Sequence, residues 1–358
     1  MTILDNQTAR LELDSHQVGQ AIQLLPEQLL QVINDFKDQA AQPLTQSINK
    51  IVLNGMGGSN LGARLIVSAL ADKLPLPLIV EPGYTVPHYI DEHTLYIISS
   101  YSGTTEEPLS TIVEVQKRGA TLAAITADTP NNPLAKLARD NNWPAYIFTT
   151  ENNPSGQPRL GLGYAIFGLL GLLGQLAILP FDLSLAKDLV DQLQKTGENW
   201  LPDVPTTDND AKQLALELHG RQIWLIGPDR LTGNLHILRN QINETSKNLA
   251  NYLVVPELNH YAMEGLTYPT SVTETVATLS FKITGLNDRL TKRLELTDEV
   301  LEENGLPVFN YRAKSADPLG QALEILAFGG WLSYYLGLLN GVDPVKIPWV
   351  DLFKKKLA

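Results

Sequence analysis

Short apolar runs that end in glycine- and hydroxyl-rich loops alternate with amphipathic stretches along most of this chain. A strand period followed by a helix period, repeated, leaves few folds open: it predicts a parallel sheet covered by helices on both faces. Candidate strands fall at 51–53, 78–80, 95–99, 122–125 and 145–148, with helical stretches at 61–71, 108–118 and 133–140 between them. Residues 1–47 read as helical, with the clearest period over 18–36. After a polar stretch with two prolines, LPDVPTTDNDA at 201–211, the pattern restarts. Further strands are expected at 223–226, 252–255, 276–281 and 308–311, and a long helix over 319–339. At 358 residues the chain is long for one compact core, so the expected domains are 1–199 and 200–358, with 201–211 as the linker. The similar order of the two α/β units suggests an internal duplication.

Composition narrows the function classes. A net charge of −12 opposes binding to a phosphate backbone, so no nucleic-acid partner is expected. A small anion is still admissible, because a local pocket can oppose the global charge. The absence of cysteine rules out disulfides and thiolate metal sites. The N-terminus, MTILDNQTARLELD, lacks the basic and apolar regions of a signal peptide, and a cytoplasmic location is the expectation. One segment runs against that reading: LGLGYAIFGLLGLLGQLAIL, 160–179, has no charge over 20 residues, which is about a bilayer's span. Its polar flanks, and five glycines suited to close helix packing, make it a helix buried in a domain or at a subunit interface rather than a membrane span.

Two loops are suited to anions. In IVLNGMGGSNLG, 51–62, glycines let the backbone approach an anion, and the following helix start supplies unpaired N–H donors. A dinucleotide fingerprint is the rival reading: Gly55, Gly57 and Asn60 approximate G-x-G-x-x-G, and Glu81 stands where a ribose-binding acid would, but the third glycine is missing. The second loop, SYSGTTEE at 100–107, clusters Ser100, Ser102 and Thr105 round Gly103 before a helix. Such a hydroxyl nest suits a phosphate monoester, whose terminal oxygens take many donors. Ser/Thr-rich helix starts are also ordinary N-caps, so the second loop gains meaning from the first.

GMGGSNLG at 55–62 followed by SYSGTTEE at 100–107 resembles a SIS (sugar isomerase) domain. RNQINETSK at 239–247, PELNH at 256–260 and VDPVKIPWVDLFKKKL at 342–357 resemble the second half of the bifunctional phosphoglucose/phosphomannose isomerases. The resemblance runs from about Lys50 to the end, with its motifs in order. It implies an α/β fold of two SIS domains, each a five-stranded parallel sheet flanked by helices in an α-β-α sandwich. It also implies a homodimer whose active site is shared between subunits, with a hexose 6-phosphate as substrate. The implied reaction interconverts glucose 6-phosphate, and mannose 6-phosphate, with fructose 6-phosphate through an enediol, with no cofactor and no metal. By the same resemblance Gly58, Ser59, Ser100, Ser102, Thr105 and Arg159 bind substrate, while Glu244, His260, Lys354 and Arg159 are catalytic.

The residues can also be read for themselves. Aldose–ketose isomerisation needs one base near C1 and C2, an acid/base pair for O5 and O1, and positive charge for the enediolate. An isolated helical glutamate is ordinarily a solvated surface residue. Glu244, expected on a helix beginning near Gly233, has Asn240, Gln241 and Asn243 beside it, a polar face that fits a site wall. Partial desolvation there would move its pKa toward neutrality. His260 suits proton transfer near neutral pH, with His236, eight positions before Glu244 on the same helix, as the alternative. Arg159 heads the charge-free segment, where it either snorkels to the surface or faces the site. Lys354 is chosen over Lys355 and Lys356 by aligning FKKKL with the family's L-K-x-x-L ending. Two departures stand out: Thr104 replaces an asparagine in SYSGNTEE, and Asp343-Pro344-Val345-Lys346-Ile347 replaces D-P-T-P-V. Two other readings are a non-catalytic SIS sensor, which needs neither Glu244 nor His260, and an amino-sugar isomerase, which normally carries an amidotransferase domain.

Overall fold

A computed structural model describes residues 2–357. They form two compact units, one of Leu24–Gln192 and one that joins the residues up to Gln23 to those from Leu193 onward. The chain opens with α1 (Gln7–Leu13) and α2 (Val18–Gln23), which belong to the latter unit. They had been expected in a first domain of 1–199. Val18, Ala21 and Ile22 of α2 are buried, and Gly19 meets the Tyr334 ring, so the apolar face of α2 is satisfied by residues far along the chain.

The Leu24–Gln192 unit holds β1 (Lys50–Asn54), β2 (Leu78–Val80), β3 (Thr94–Ser99), β4 (Thr121–Ala127) and β5 (Ala145–Phe148), all parallel in the order β2-β1-β3-β4-β5. Its helices are α3 (Leu25–Phe36), α4 (Gly58–Ala69), α5 (Glu106–Lys117), α6 (Pro133–Asp140) and α7 (Leu162–Gln175). Every residue of β3 is buried, as in a strand covered on both faces. Val52, Tyr96, Ile98, Leu122 and Ala124 meet Ile112 and Val115 of α5 and Leu134 and Ala138 of α6 on one face. Alternation sends their neighbours Ile51, Leu53, Leu95 and Ile97 to the other face. The 160–179 segment forms α7 over 14 residues, about 21 Å at 1.5 Å per residue and short of a bilayer core of about 30 Å. α7 packs on α3 and α4, and Gly171 makes room for the Phe36 ring, which a Cβ would approach to 2.4 Å.

The other unit holds β6 (Gln222–Pro228), β7 (Ala250–Val255), β8 (Val276–Lys282) and β9 (Val308–Arg312), all parallel in the order β7-β6-β8-β9. Its helices are the end of α8 (Leu183–Gly197), then α9 (Asp210–Leu218), α10 (Thr232–Gln241), α11 (Val272–Thr275), α12 (Asp288–Glu303), α13 (Pro318–Leu339) and α14 (Pro348–Leu357). The order repeats β2-β1-β3-β4, but the expected fifth strand is missing among the described residues. After β9 the chain passes straight into α13, whose N-terminus is capped by Asp317 accepting from Leu319 N at 2.8 Å and Gly320 N at 3.2 Å. Of its 22 residues 20 are buried, as befits a helix apolar all round. α13, rather than the 160–179 segment, is long and apolar enough to cross a membrane, and 94% of its apolar window is buried inside the protein. The 201–211 stretch is no free linker either. Lys212, wholly buried on α9, donates through Nζ to Pro202 O and Val204 O, both at 2.8 Å, and to Asp5 Oδ1 at 3.0 Å. A buried ammonium requires such acceptors, and they fold the stretch onto the unit.

Candidate active site

β1 ends at Asn54 and α4 begins at Gly58, so the first glycine loop sits at a strand end, beside the loop that follows the neighbouring strand β3. Asn60, buried where the dinucleotide fingerprint would have its third glycine, closes the turn by donating to Gly55 O at 2.8 Å. Glu81, the ribose-binding acid of that rival, accepts from the Tyr89 hydroxyl. Gly58 lies so close to the 158–159 backbone that a Cβ would come within 2.7 Å of Pro158 C, so the close approach requires glycine. Neither α4 nor α5, each of 12 residues, has a side-chain cap at its N-terminus. In α4 the Ser59 and Asn60 N–H groups are taken by Met56 O at 3.1 Å and Gly57 O at 3.3 Å, yet two helix N-termini without side-chain caps still point their dipoles at adjacent strand ends, which suits an anion. Glu106 and Glu107 in the first turn of α5 oppose that field locally.

The two loops are tied together. Ser59 Oγ accepts from Tyr101 N at 2.9 Å, and Ser99 Oγ donates to Ser59 O at 2.7 Å. An accepting hydroxyl keeps its own O–H to donate. Ser100, fully buried, shares a hydrogen bond with the Thr105 hydroxyl at 2.8 Å, and its carbonyl accepts from Thr126 Oγ1 at 2.7 Å. Ser102, exposed, pairs with Thr104 at 3.0 Å, so the residue that departs from the family pattern is the one holding Ser102. The hydroxyls form one part-buried pair, in which Ser100 is enclosed and Thr105 partly open, and one exposed pair. Arg159 lies in the 3-10 turn Pro158–Leu160 ahead of α7. It is 4% exposed, with Nη1 donating to Gln157 Oε1 at 3.0 Å, so it does not snorkel into solvent.

Glu244, His260 and Lys354 belong to the other unit, on three separate elements. α10 stops at Gln241 and passes into a π-helical turn, Ile242–Ser246, where Glu244 stands half-buried beside buried Ile242, Thr245 and Ser246. Such turns are rare and recur at functional sites. Of the polar neighbours expected to form a site wall, Gln241 and Asn243 are committed to structural partners. Gln241 is buried against α13 near Gly329 and Gly330. Asn243 donates to Ala250 O at 3.2 Å and accepts from Ala250 N at 3.1 Å, which fastens the turn to β7. Asn240 accepts from the Arg239 guanidinium at 2.8 and 3.0 Å. His236 is engaged by Arg239 Nη2 at 3.1 Å and by the Tyr252 ring.

His260 is exposed at the end of the turn Glu257–His260 that follows β7. Its neighbour Asn259 anchors that turn to α12, donating to Thr297 Oγ1 at 2.9 Å and accepting from Arg293 Nη1 at 3.2 Å. Lys354, Lys355 and Lys356 are all exposed on α14, a helix with no buried residue. The sequence reading missed the π turn itself, because the targets that hold it, Ala250, Asn340 and Asp343, lie outside any local pattern.

Residues 44–153 match a family model described as the SIS domain, and residues 207–357 match one described as the bacterial phospho-glucose isomerase C-terminal SIS domain. Over 340 residues the chain is 30% identical to a bifunctional phosphoglucose/phosphomannose isomerase of Caldicellulosiruptor bescii, covering 93% of this chain and 97% of the relative. To the corresponding protein of Aquifex aeolicus it is 28% identical over 344 residues, covering 92% and 98%. A solved structure of a hypothetical protein from Thermus thermophilus superposes with a TM-score of 0.73 at 18% identity, covering 98% and 94%, which speaks for the fold alone. Sequence relationship over nearly the whole of both chains makes the assignment: this chain belongs to the bifunctional phosphoglucose/phosphomannose isomerase family.

Proposed function

We propose that this chain interconverts glucose 6-phosphate and mannose 6-phosphate with fructose 6-phosphate. The observation that carries the reading is the 30% identity to a bifunctional isomerase across 93% of the chain. The two helix N-termini without side-chain caps, at hydroxyl-bearing loops, support a phosphorylated substrate. In this reading Gly58, Ser59, Ser102 and Thr105 take the phosphate, and Ser100 holds the loop that presents them. Glu244 removes the proton from C2; the C–H electron pair becomes the C1=C2 bond, and O1 takes a proton, giving the enediol. O2 then loses its proton as the C2 carbonyl forms, and the proton held by Glu244 is delivered to C1. Arg159 offsets the negative charge that develops on the oxygens. His260 and Lys354 serve as the acid/base pair for O5 and O1. Glucose and mannose phosphates differ only at C2, and the enediol is planar there, so one intermediate serves both.

The reading includes a homodimer with a shared site. Trp349, Phe353 and Leu357 form an i, i+4, i+8 stripe on α14, exposed by 81%, 65% and 65% within one chain, and a second copy would cover it. The exposure of His260 in its own chain supports its service across that interface. The test is a coupled assay that starts from fructose 6-phosphate and reads glucose 6-phosphate and mannose 6-phosphate separately. Formation of both is expected, and formation of neither overturns the proposal.

A further inference from the structure

The π turn that carries Glu244 is held at its C-terminal end by α13 and the loop beyond it. Asn340 Nδ2 donates to Ser246 O at 2.9 Å. Lys247 Nζ donates to Asp343 O at 2.6 Å and to Thr245 O at 3.3 Å. Gly337 brings the α13 backbone against the same carbonyl, since a Cβ there would lie 3.0 Å from Thr245 O. Lys247 ends the turn in the left-handed conformation, with φ 54° and ψ 28°. The last carbonyls of a helix have no partner within it, and here side chains supply the donors. With Asn243 fastened to Ala250 on the other side, Glu244 stands between two anchors.

The anchors matter because a π turn adds one residue to the helical repeat. Relaxation to an α-helical path would rotate the residues that follow by roughly 100°. A base that serves both C1 and C2 tolerates little displacement, and about 1 Å of misplacement can cost of order 10²-fold in rate.

We propose that Asn340 and Lys247 are positioning residues for the isomerisation, holding the π turn through the carbonyls of Ser246 and Thr245 so that Glu244 is aimed. The inference rests on the reading of Glu244 as the base. The test uses the full chain and compares Asn340→Asp, Lys247→Met, Lys247→Arg, Glu244→Gln and the pair Asn340→Asp with Glu244→Gln. The readouts are kcat, KM for fructose 6-phosphate, Tm, and exchange of the C1/C2 hydrogen with deuterated water. Asn340→Asp keeps the shape without a donor, and Lys247→Met keeps the stem without the ammonium. Each should lower kcat about tenfold with KM within about twofold, the pattern of a lost transition-state interaction. Lys247→Arg should restore most of the rate, and Asn340→Asp should cost nothing further once Glu244 is glutamine. Native kcat in Asn340→Asp and Lys247→Met, with Glu244→Gln inactive, overturns the positioning role and leaves the base. Near-native turnover in Glu244→Gln overturns both. A joint fall in kcat, affinity and Tm, or a further loss in the paired variant, means a purely structural role and also overturns the proposal.

Discussion

The hydroxyl of Ser59 accepts a hydrogen bond from the backbone N–H of Tyr101 at 2.9 Å, so the glycine loop after β1 and the hydroxyl loop after β3 form one piece. Ser59 therefore has two tasks, holding the loops together and presenting an O–H to a phosphate. Ser59→Ala alone should cost about 1 kcal/mol of stability, because the Tyr101 N–H is left part-buried without that acceptor. Combined with Ser102→Ala it should weaken fructose 6-phosphate binding by at least about tenfold, since each hydroxyl is a donor to a doubly charged anion. Calorimetric titration decides, and unchanged affinity in the double variant moves the phosphate elsewhere.

Sharing of the site between subunits has a mixing test. Glu244→Gln and His260→Ala should each be nearly inactive alone. If His260 serves the partner's site, a mixed dimer has one site lacking both groups and one with both intact. Random exchange then restores about a quarter of native activity, because half the dimers are mixed and each has one good site of two. Light scattering should report twice the chain mass. Dimers shown to exchange but regaining no activity would return His260 to its own chain.

What was legible in the sequence was chiefly local. Strands 145–148 and 276–281 announce themselves by apolar, β-rich runs between breakers, and the residues themselves pointed to four strands in the second unit; the fifth came only from the resemblance. The placement of α2 was not legible, because its apolar face looks the same whichever core it joins, and only α13 decides that. Lys212 reads as an ordinary surface lysine until the carbonyls of Pro202 and Val204 are seen around it. The run Asn240, Gln241 and Asn243 looked like a site wall because polarity marks a need for partners without saying which. For Asn243 the partner is the backbone of Ala250.

The ion pair of Lys212 and Asp5 predicts an acid-side effect. Burial alone would raise the Asp5 carboxyl, but the Lys212 ammonium and Thr206 hold it below its ordinary 3.8. Burial pushes the Lys212 ammonium below its ordinary 10.5, with Asp5 pulling the other way, so the lysine carries a desolvation cost that its partner only partly offsets. A carboxyl lowered on folding contributes stability that is present above 3.8 and is lost as the pH falls through its lower folded value. Asp5→Asn should therefore reduce Tm by about 1–2 °C near pH 6, with the gap to the native chain closing below about pH 4. A gap that stays constant down to pH 3 would remove Asp5 ionisation as its source.

Glu244 is the carboxylate of the π turn, half-buried beside buried Ile242, Thr245 and Ser246, in a turn fixed on both sides by the side-chain amides of Asn243 and Asn340 donating to backbone carbonyls. A base that carries one proton between C1 and C2 cannot be replaced by an amide, although glutamine preserves shape and polarity. Glu244→Gln should still bind fructose 6-phosphate, because the phosphate loops are untouched, yet lose at least about 10²-fold in turnover, the low end of a general base's contribution. The same variant should stop exchanging the C1/C2 hydrogen with deuterated water, since ring opening alone does not exchange it. Stability should change little, because a half-exposed carboxylate replaced by its amide opens no cavity. If turnover and exchange both survive, the proton is carried by another carboxylate. The first to examine is Glu264, exposed in the turn Met263–Leu266 four residues beyond His260, where a substitution by glutamine should then abolish the exchange that Glu244→Gln left intact.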